Sequence, residues 1–194
     1  MKFEIFKFKK VTSTNDMAID LIKKKKRKSG CVYADEQTKG RGTYGKKWIS
    51  CKGNLFGSIF FQLKKSYPSF NEFALINPII ISSVFENFCD KKNIAFKWPN
   101  DIFLNKKKIC GILQELIYVN GKKFLVIGIG INILSSPKIN LKYQATNILE
   151  ETQNKLTVKK VLNLVVSSYE NFFFNIKSYN YENFMKKNQL FTFN

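Results

Sequence analysis

The spacing of apolar residues divides the first half of the chain into strands and helices. Residues 2–8 alternate apolar and polar side chains, which predicts an opening strand. Behind the N-cap candidates Thr12 and Ser13, apolar residues recur at helical spacing and predict a helix to about residue 28, where Ser29-Gly30 ends it. The pattern then predicts a strand at 31–34, a polar loop at 35–47, a strand at 55–63 and a helix at 70–89 that is interrupted at Pro78.

The second half is dominated by one hairpin signal. Asn120-Gly121, flanked by the apolar runs 109–119 and 124–133, is a dipeptide that two-residue hairpin turns favour. Shorter strands are predicted at 96–98 and 102–104, with turns at 99–101 and 105–107, and helices at 157–174 and 181–187. Because strands and helices are mixed and the hairpins need antiparallel pairing, the predicted fold class is α+β.

Composition places the chain among single-domain globular proteins. Its 194 residues fit one domain, 44% of them are hydrophobic, and the longest apolar run, around 79–84, is too short to cross a membrane. The N-terminal segment lacks the apolar core and cleavage site of a signal peptide. Four cysteines without CxxC spacing, Cys31, Cys51, Cys89 and Cys110, are expected to be free thiols. We therefore expect a cytoplasmic protein that does not associate with membranes.

Two features of the composition narrow the function. The chain contains no histidine, which excludes hydrolase triads that use a histidine base and argues against a structural zinc site. Its net charge is +19, but only Arg27 and Arg41 among the 33 basic residues are arginine, and the lysines are spread along the chain. The charge indicates a solvated surface that attracts phosphate-bearing ligands and acidic partners. A basic nucleic-acid-binding module is the alternative from another class, but no specific DNA is expected to bind.

The loop at 40–47, GRGTYGKK, is the first segment that carries chemistry. It matches the GxGxxG dinucleotide fingerprint and most of a Walker A string, but no helical pattern follows, and Lys47 stands where Walker A needs Ser or Thr. Glycines let backbone amides approach an anion, and the planar fork of Arg41 suits phosphate or carboxylate. We interpret this segment as an anion-binding loop, with a flexible surface loop as the alternative.

Two further segments combine polar groups with strand glycines. KWPND at 97–101 predicts a turn between strands, and Asp101 supplies a carboxylate suited to Mg²⁺. Lys108 enters an apolar strand near Gly111, which leaves room for a ligand; the alternative for Lys108 is the end of a solvated turn. GIGIN at 128–132 places glycines inside a strand, which often marks close approach by a ligand, and puts Asn132 at the strand end.

Taken together, these segments resemble the biotin protein ligase family. Ser13-Thr14-Asn15, Gln37 followed by GRGTYGKKW, KWPND, KICGIL and GIGIN occur in the family's order and at about its spacing, over residues 8–134. The related lipoate ligases carry a different loop, with a run of glycines and a nearby His-Asp pair, and this chain has neither that run nor any histidine. The resemblance therefore favours biotin, with a lipoate or octanoate ligase of the same fold as the alternative.

The resemblance implies a fold and a reaction. The fold is expected to be a mixed, largely antiparallel sheet flanked by helices, related to class II aminoacyl-tRNA synthetase cores, in one catalytic domain over 1–194. The reaction is expected to be activation of biotin by ATP with Mg²⁺ to biotinyl-5′-AMP, with release of pyrophosphate. Biotin would then be transferred to a lysine of a biotin carboxyl carrier protein by a monomeric or homodimeric enzyme.

The resemblance also implies roles for matching residues. Biotin contacts are implied for Ser13, Thr14, Asn15, Gln37, Gly40, Arg41, Gly42, Thr43, Lys108 and Gly111. Nucleotide contacts are implied for Trp48, Asn100 and Asn132, and catalytic roles for Lys108, Arg41 and Asp101, the last as the Mg²⁺ ligand. Lys108, Arg41 and Mg²⁺ would offset the repulsion between the biotin carboxylate and the α-phosphate. The loop at 40–48 would close to keep water from the mixed anhydride.

Three departures from the family's pattern bear on function. We expect no N-terminal DNA-binding module and no small C-terminal β-barrel. Thr43 stands where many members carry a second loop arginine. The first departure removes a repressor function, and the other two affect acceptor docking and loop closure.

Overall fold

A computed structural model describes residues 1–138, 143–187 and 191–192, and these residues form a mixed sheet of eight strands. The strands are β1 Ile5–Val11, β2 Ser29–Gln37, β3 Leu55–Gln62, β4 Ile94–Lys97, β5 Asp101–Leu104, β6 Lys107–Val119, β7 Lys122–Ile131 and β8 Phe191–Thr192. The helices are α1 Thr14–Lys25, α2 Phe70–Phe85, α3 Ile148–Thr152, α4 Val158–Phe174 and α5 Tyr181–Lys187, with short 3-10 turns at Thr43–Gly45, Lys91–Asn93 and Ile176–Ser178. The predicted α+β class is confirmed.

The strand order across the sheet is β1-β2-β3-β7-β6-β5-β4-β8. The pairs at the two edges, β1–β2 and β4–β8, are parallel, and the pairs between them are antiparallel. The predicted hairpin lies at the centre, where Asn120 and Gly121 have φ of 48° and 71°. Positive φ at both central residues is what a type I′ turn requires. The strongest turn signal of the sequence therefore organises the middle of the sheet.

Alternate residues of the central strands pack against different helices. Phe60 and Val126 share a buried cluster with Ala18 and Ile22 of α1. Their chain neighbours, among them Ile59, Phe61, Leu125 and Ile127, join α2 and α4 in the larger cluster. Because successive strand residues point to opposite faces, α1 covers one face of the sheet and α2 with α4 covers the other.

The face under α1 changes character along the strands. Beyond Phe60, β3 continues with Ser58, which lies opposite Gly128 of β7. Gly130 of β7 then lies opposite Gly111 of β6. These small residues, which we call the glycine strip (Gly111, Gly128 and Gly130), leave a depression beside α1.

Helix α2 differs from the prediction, because it runs without interruption through Pro78 and ends at Phe85 rather than near residue 89. A capping box of Ser69 and Glu72 begins the helix. Asn77, next to Pro78, is fully buried and accepts a hydrogen bond of 3.0 Å from the Tyr169 hydroxyl of α4. Packing of this kind outweighs the unfavourable proline, since tertiary contacts supply most helix stability in proteins.

Several other strands and helices begin or end at residues that differ from the prediction. Strands β1 and β2 reach Val11 and Gln37, beyond the predicted 2–8 and 31–34, because they pair in parallel along their length. Helix α1 ends at Lys25, before Ser29-Gly30, and its C-cap Lys26 has φ 53°. The short helix α3 has no counterpart among the predicted elements. The hairpin strands and the helix predicted at 157–174 agree with the structure to within a few residues.

All four cysteines are free thiols, as predicted. Burial raises the pKa of Cys31 to about 12. The pKa of Cys89 rises to about 11, mainly by burial and secondarily through Asp90 and Glu86. Among the helices that the structure describes, none is long and apolar enough to cross a bilayer.

Candidate active site

A cavity of about 420 Å³ lies over the glycine strip. The first residues of α1, the loop at 40–48, the turn at 97–101 and the segment at 143–145 surround it. Of the residues predicted for the site, all except Gly40 line it: Ser13, Thr14, Asn15, Gln37, Arg41, Gly42, Thr43, Trp48, Asn100, Asp101, Lys108, Gly111 and Asn132. A larger cavity of about 610 Å³, between α2, α4 and α5, contains none of them. The residues predicted to carry the chemistry therefore lie together around the smaller cavity.

The beginning of α1 forms a buried hydrogen-bond network at one end of the cavity. Oε1 of Gln37 accepts hydrogen bonds from the Thr14 N–H at 2.8 Å and from the Thr14 hydroxyl at 3.2 Å. The hydroxyl of Ser58 contacts both Oγ1 of Thr14 and Oδ1 of Asn15. Nδ2 of Asn15 donates to Glu115 at 2.6 Å. Because each side chain is bonded to its neighbour, the polar atoms at this end are held in fixed directions.

Ser13 occupies the N-cap position of α1, as predicted, but its side chain makes no capping hydrogen bond. The side chain of Gln37 in β2 takes up the first helical N–H instead. Ser13 is buried and lines the cavity. The residue that the sequence marks as the N-cap, Ser13, thus lines the cavity, while Gln37 of β2 accepts the hydrogen bond from the first N–H of the helix.

Arg41 joins the loop at 40–48 to the sheet. Its Nη1 and Nη2 each donate at 2.8 Å to a different oxygen of Glu115, and Nη2 also donates to Asp16 at 2.7 Å. The hydrogen bond with Glu115 is the main cause that raises the pKa of Arg41. The terminal nitrogens therefore meet carboxylates of the protein rather than open solvent, and the geometry favours a role in holding the loop. A direct catalytic role for Arg41 stays a prediction.

The glycines of the loop serve two different purposes. Gly45 has φ 71° and follows Tyr44, which has φ 54°. Gly40 is needed for close approach, because a Cβ there would lie 2.5 Å from the carbonyl oxygen of Trp48. The Trp48 N–H donates to the Gly40 carbonyl at 2.9 Å and closes the base of the loop. Gly40 thus shapes the loop from outside the cavity, and the expected φ freedom is used at Gly45.

Trp48 covers two residues of the glycine strip, Gly111 and Gly130, while Asn15 lies over Gly128. A Cβ at Gly111 would lie 2.6 Å from Cζ3 of the indole, and a Cβ at Gly130 would overlap the ring. The sequence suggested that these glycines make room for a ligand, but the structure gives that room to the indole. Nζ of Lys108 lies 5.7 Å from the ring centroid. The ring and the ammonium together form a surface on which a planar anionic ligand can stack.

Lys108 and Asp101 form an ion pair at the cavity. Nζ lies 2.7 Å from Oδ1, without the alignment of a hydrogen bond, and the side chains are 25% and 18% exposed. Lys108 is therefore a cavity residue and not the end of a solvated turn.

The same ion pair bears on the predicted magnesium ligand. The Lys108 ammonium already lies 2.7 Å from Oδ1 of Asp101, and the described residues contain no cluster of three His, Cys, Asp or Glu side chains. The residues present do not fit a metal site that the protein alone would hold.

Asn100 and Asn132 line the cavity, but their amides are engaged by the protein. Nδ2 of Asn100 donates to the Ile112 carbonyl at 3.1 Å and lies 3.5 Å from the Thr43 hydroxyl. Nδ2 of Asn132 donates to the Thr146 carbonyl at 2.9 Å. Both asparagines hold parts of the cavity wall, and their nucleotide contacts stay predictions.

Sequence reasoning missed several contributors to the site. Ser58 and Glu115 do not line the cavity, but they bond to Thr14 and Arg41, which do. Ser58 carried a usable signal, because it is the polar residue inside the apolar run at 55–61, whereas Glu115 shares its strand with two lysines and Gln114. Tyr143 and Ala145 line the cavity, but they lie in an irregular segment without any periodic pattern.

Comparisons with known proteins show the family to which this chain belongs. The chain matches the profile of the Biotin/lipoate A/B protein ligase family over residues 6–132. Bifunctional ligase/repressor BirA of Escherichia coli is 36% identical over 125 residues, which are 63% of this chain and 38% of that protein. Biotin--protein ligase 2 of Arabidopsis thaliana is 32% identical over 154 residues, which are 75% of this chain and 45% of that protein. This chain thus spans less than half the length of these relatives.

Solved structures of biotin protein ligases share the fold. One from Aquifex aeolicus in complex with biotin and ATP has a TM-score of 0.77 and 28% identity, over 95% of this chain and 76% of that chain. One from Leishmania major in complex with biotinyl-5-AMP has a TM-score of 0.77 and 28% identity, over 95% and 79%. The expected mixed sheet of the class II synthetase type is confirmed. Since the profile match spans the loop at 40–48 and the strands that carry Lys108 and Asn132, this chain belongs to the Biotin/lipoate A/B protein ligase family.

Proposed function

We propose that this chain is the catalytic domain of a biotin protein ligase, which forms biotinyl-5′-AMP from biotin and ATP and then transfers biotin to a lysine of a biotin carboxyl carrier protein. The observation that carries the proposal is the cavity itself. It combines a rigid polar network at α1, a tryptophan packed over two strand glycines and a lysine beside that ring. The names of the relatives in both comparisons point to the same reaction.

The polar network favours biotin over lipoate. The ureido ring of biotin carries donors and an acceptor in one plane, and the polar side chains of Ser13, Thr14 and Asn15 line the cavity to meet them. The dithiolane of lipoate and the methyl end of octanoate offer no such partners. A substrate without such partners forgoes these hydrogen bonds, each of which contributes about 0.5–1.5 kcal/mol net.

Adenylation would take place near Lys108. A carboxylate oxygen of biotin forms a bond to the α-phosphorus of ATP, the bond from that phosphorus to the bridging oxygen breaks, and pyrophosphate leaves with the electron pair. The Lys108 ammonium would leave Asp101 for the meeting anions and reduce their repulsion. ATP would bring Mg²⁺ bound mainly to its phosphates, and Asp101 would be the cavity carboxylate that contacts the ion once Lys108 has turned to the anions.

Transfer would follow from the same pocket. The ε-amine of the acceptor lysine attacks the acyl carbon of the adenylate, the bond from that carbon to the phosphate oxygen breaks, and AMP leaves while the amine loses a proton. Until then water must be kept out, because it hydrolyses the mixed anhydride. The loop at 40–48, fastened through Arg41 to Glu115, is the element that covers the adenylate.

The test is a direct assay of adenylation and transfer. The protein is incubated with ATP labelled at the α-phosphate and with biotin, lipoate or octanoate, and both the acyl-adenylate and pyrophosphate are measured. We expect biotin alone to support rapid formation of adenylate, and a carrier protein added later to gain one biotinyl group by mass. A carrier variant with arginine at the acceptor lysine is the control. Faster adenylation of lipoate or octanoate would establish the alternative ligase, and no adenylate with any acid would refute the proposal.

A further inference from the structure

The cavity wall at 143–147 is fastened to strand β6 at Lys108. The Lys108 N–H donates to the Gln144 carbonyl at 2.8 Å, and the Thr146 N–H donates to the Lys108 carbonyl at 2.9 Å. Strand β7 cannot provide these bonds, because its pairing with β6 ends at Cys110 opposite Ile131. Lys108 therefore depends on an irregular segment for its backbone partners on this side.

Glu151 of α3 holds that segment from behind. Its carboxylate accepts hydrogen bonds from the Thr146 hydroxyl at 2.6 Å, from Nδ2 of Asn105 at 2.7 Å and from Nζ of Lys107 at 3.0 Å. Asn105 lies in the turn before β6, Lys107 is the first residue of β6, next to Lys108, and Thr146 lies in the wall beside it. One carboxylate thus ties both neighbours of Lys108 together.

The setting of Glu151 indicates a strong connection. Its side chain is 7% exposed, and it is not among the residues that line the cavity. Burial alone would raise the pKa of Glu151, but the hydrogen bonds from Thr146, Asn105 and Lys107 lower it. A carboxylate that stays ionised in such a place makes charge-assisted bonds, which are stronger and more directional than neutral ones.

We propose that Glu151 is a positioning residue for Lys108. By joining Asn105 and Lys107 to Thr146, it fixes the backbone of Lys108 from both sides, and with it the point from which the ammonium extends into the cavity. The inference rests on the proposed function, in which Lys108 meets the reacting anions. A misplacement of that ammonium by a fraction of an ångström to one ångström lowers the rate of the chemical step without removing any contact to biotin.

The test compares Glu151→Gln with Glu150→Gln. Both variants lose one negative charge from α3 near Lys107. Glu150 is about half exposed, lies 3.7 Å from Nζ of Lys107 and accepts a hydrogen bond from Nδ2 of Asn147 at 3.1 Å. The hydrogen bonds from Thr146 and Asn105 go to Glu151, so the pair of variants separates that connection from the loss of charge. We expect Glu151→Gln to lower kcat for pyrophosphate release by about 10- to 100-fold, with KM for biotin changed less than about threefold. Thr146→Val should act in the same direction. The kcat of the double variant should be about as low as that of the more impaired single variant, because both substitutions remove the same connection. Glu150→Gln should match the parent.

Two readouts separate positioning from loss of fold. Hydrogen exchange should quicken in peptides that contain residues 105–108 and 143–147 of Glu151→Gln, and not in those of Glu150→Gln. Titration of active sites should show that all molecules of Glu151→Gln are active and that each turns over slowly. Parent-like kcat in Glu151→Gln, or normal kcat in a reduced number of active sites, would overturn the inference. If the parent protein forms no adenylate, the proposed function has failed. Hydrogen exchange still tests the structural part of the inference in that case, because unchanged exchange in Glu151→Gln would show that Glu151 does not hold the backbone around Lys108.

Discussion

Arg41 and Glu115 form a two-point ion pair, in which Nη1 and Nη2 each lie 2.8 Å from a different carboxylate oxygen. Arg41 belongs to the loop over the cavity and Glu115 to the sheet beneath it, so the pair holds the loop against the site. Lysine has no planar fork and cannot replace both bonds.

Arg41→Lys is therefore expected to release biotinyl-5′-AMP about tenfold faster than the parent, as one charge-assisted bond is lost. Single-turnover formation of labelled adenylate, followed by a chase with unlabelled biotin, measures the escape rate. Lys39→Gln, which changes an exposed cation just before the loop, is the control and should behave like the parent. Equal escape from Arg41→Lys and the parent would show that the pair does not hold the loop.

Lys108→Ala should lower the rate of adenylation by about 100- to 1000-fold, the usual effect of losing one preorganised group that stabilises developing charge. Thermal unfolding should change little, because the ammonium is not part of the core. Release of pyrophosphate under saturating substrates is the measurement. Lys106→Ala removes an exposed lysine two residues away and serves as the matched control. Unaltered pyrophosphate release in Lys108→Ala would remove Lys108 from the mechanism.

Gly111→Ala should disturb the site through Trp48, because the added Cβ would lie 2.6 Å from the indole. We expect weaker stabilisation of the protein by ATP in thermal unfolding and about a tenfold lower rate of adenylation, as expected when a binding surface is misplaced. In a Trp48→Ala background the same substitution should have little further effect, since the clash is gone. A full additional loss in that background would show that Gly111 acts through some other contact.

Thr43→Arg is expected to slow the escape of biotinyl-5′-AMP, with a smaller effect on its formation. In the structure the Thr43 hydroxyl accepts a long hydrogen bond of 3.5 Å from Nδ2 of Asn100, which ties the loop weakly to the turn at 97–101. An arginine could add charge-assisted bonds within the closed loop, worth about 1.5–3 kcal/mol each. The chase described for Arg41 measures this, with Thr43→Gln as a long uncharged control. Identical escape rates in Thr43→Arg and the parent would mean that Thr43 does not limit closure.

The net charge of +19 should produce only weak and salt-sensitive DNA binding, without preference for a sequence. Competition among unrelated duplexes at physiological salt measures this, and the logarithm of affinity should fall linearly with the logarithm of salt concentration. A duplex that resists competition at that salt would revive the nucleic-acid-binding alternative.

Much of the fold could be predicted from local patterns. The hairpin at Asn120-Gly121 and the helical stripes of α1 and α4 follow from turn chemistry and periodicity, and the structure confirms them. The course of α2 through Pro78 could not be predicted, because it depends on burial of Asn77 against α4. Elements that are specified by their own turn residues or periodicity could be predicted from the sequence. The uninterrupted course of α2, which depends on packing against a distant helix, could not.

The site divides in the same way. The sequence by itself determined which residues meet, since every predicted site residue except Gly40 lines one cavity. Only the tertiary structure decided what each of them contacts. Arg41 bonds to Glu115 across 74 positions of the chain, and the glycines of β6 and β7 make room for Trp48 rather than for a ligand. Strand register and the path of the loop select such partners, and neither is encoded in the residues next to the group concerned.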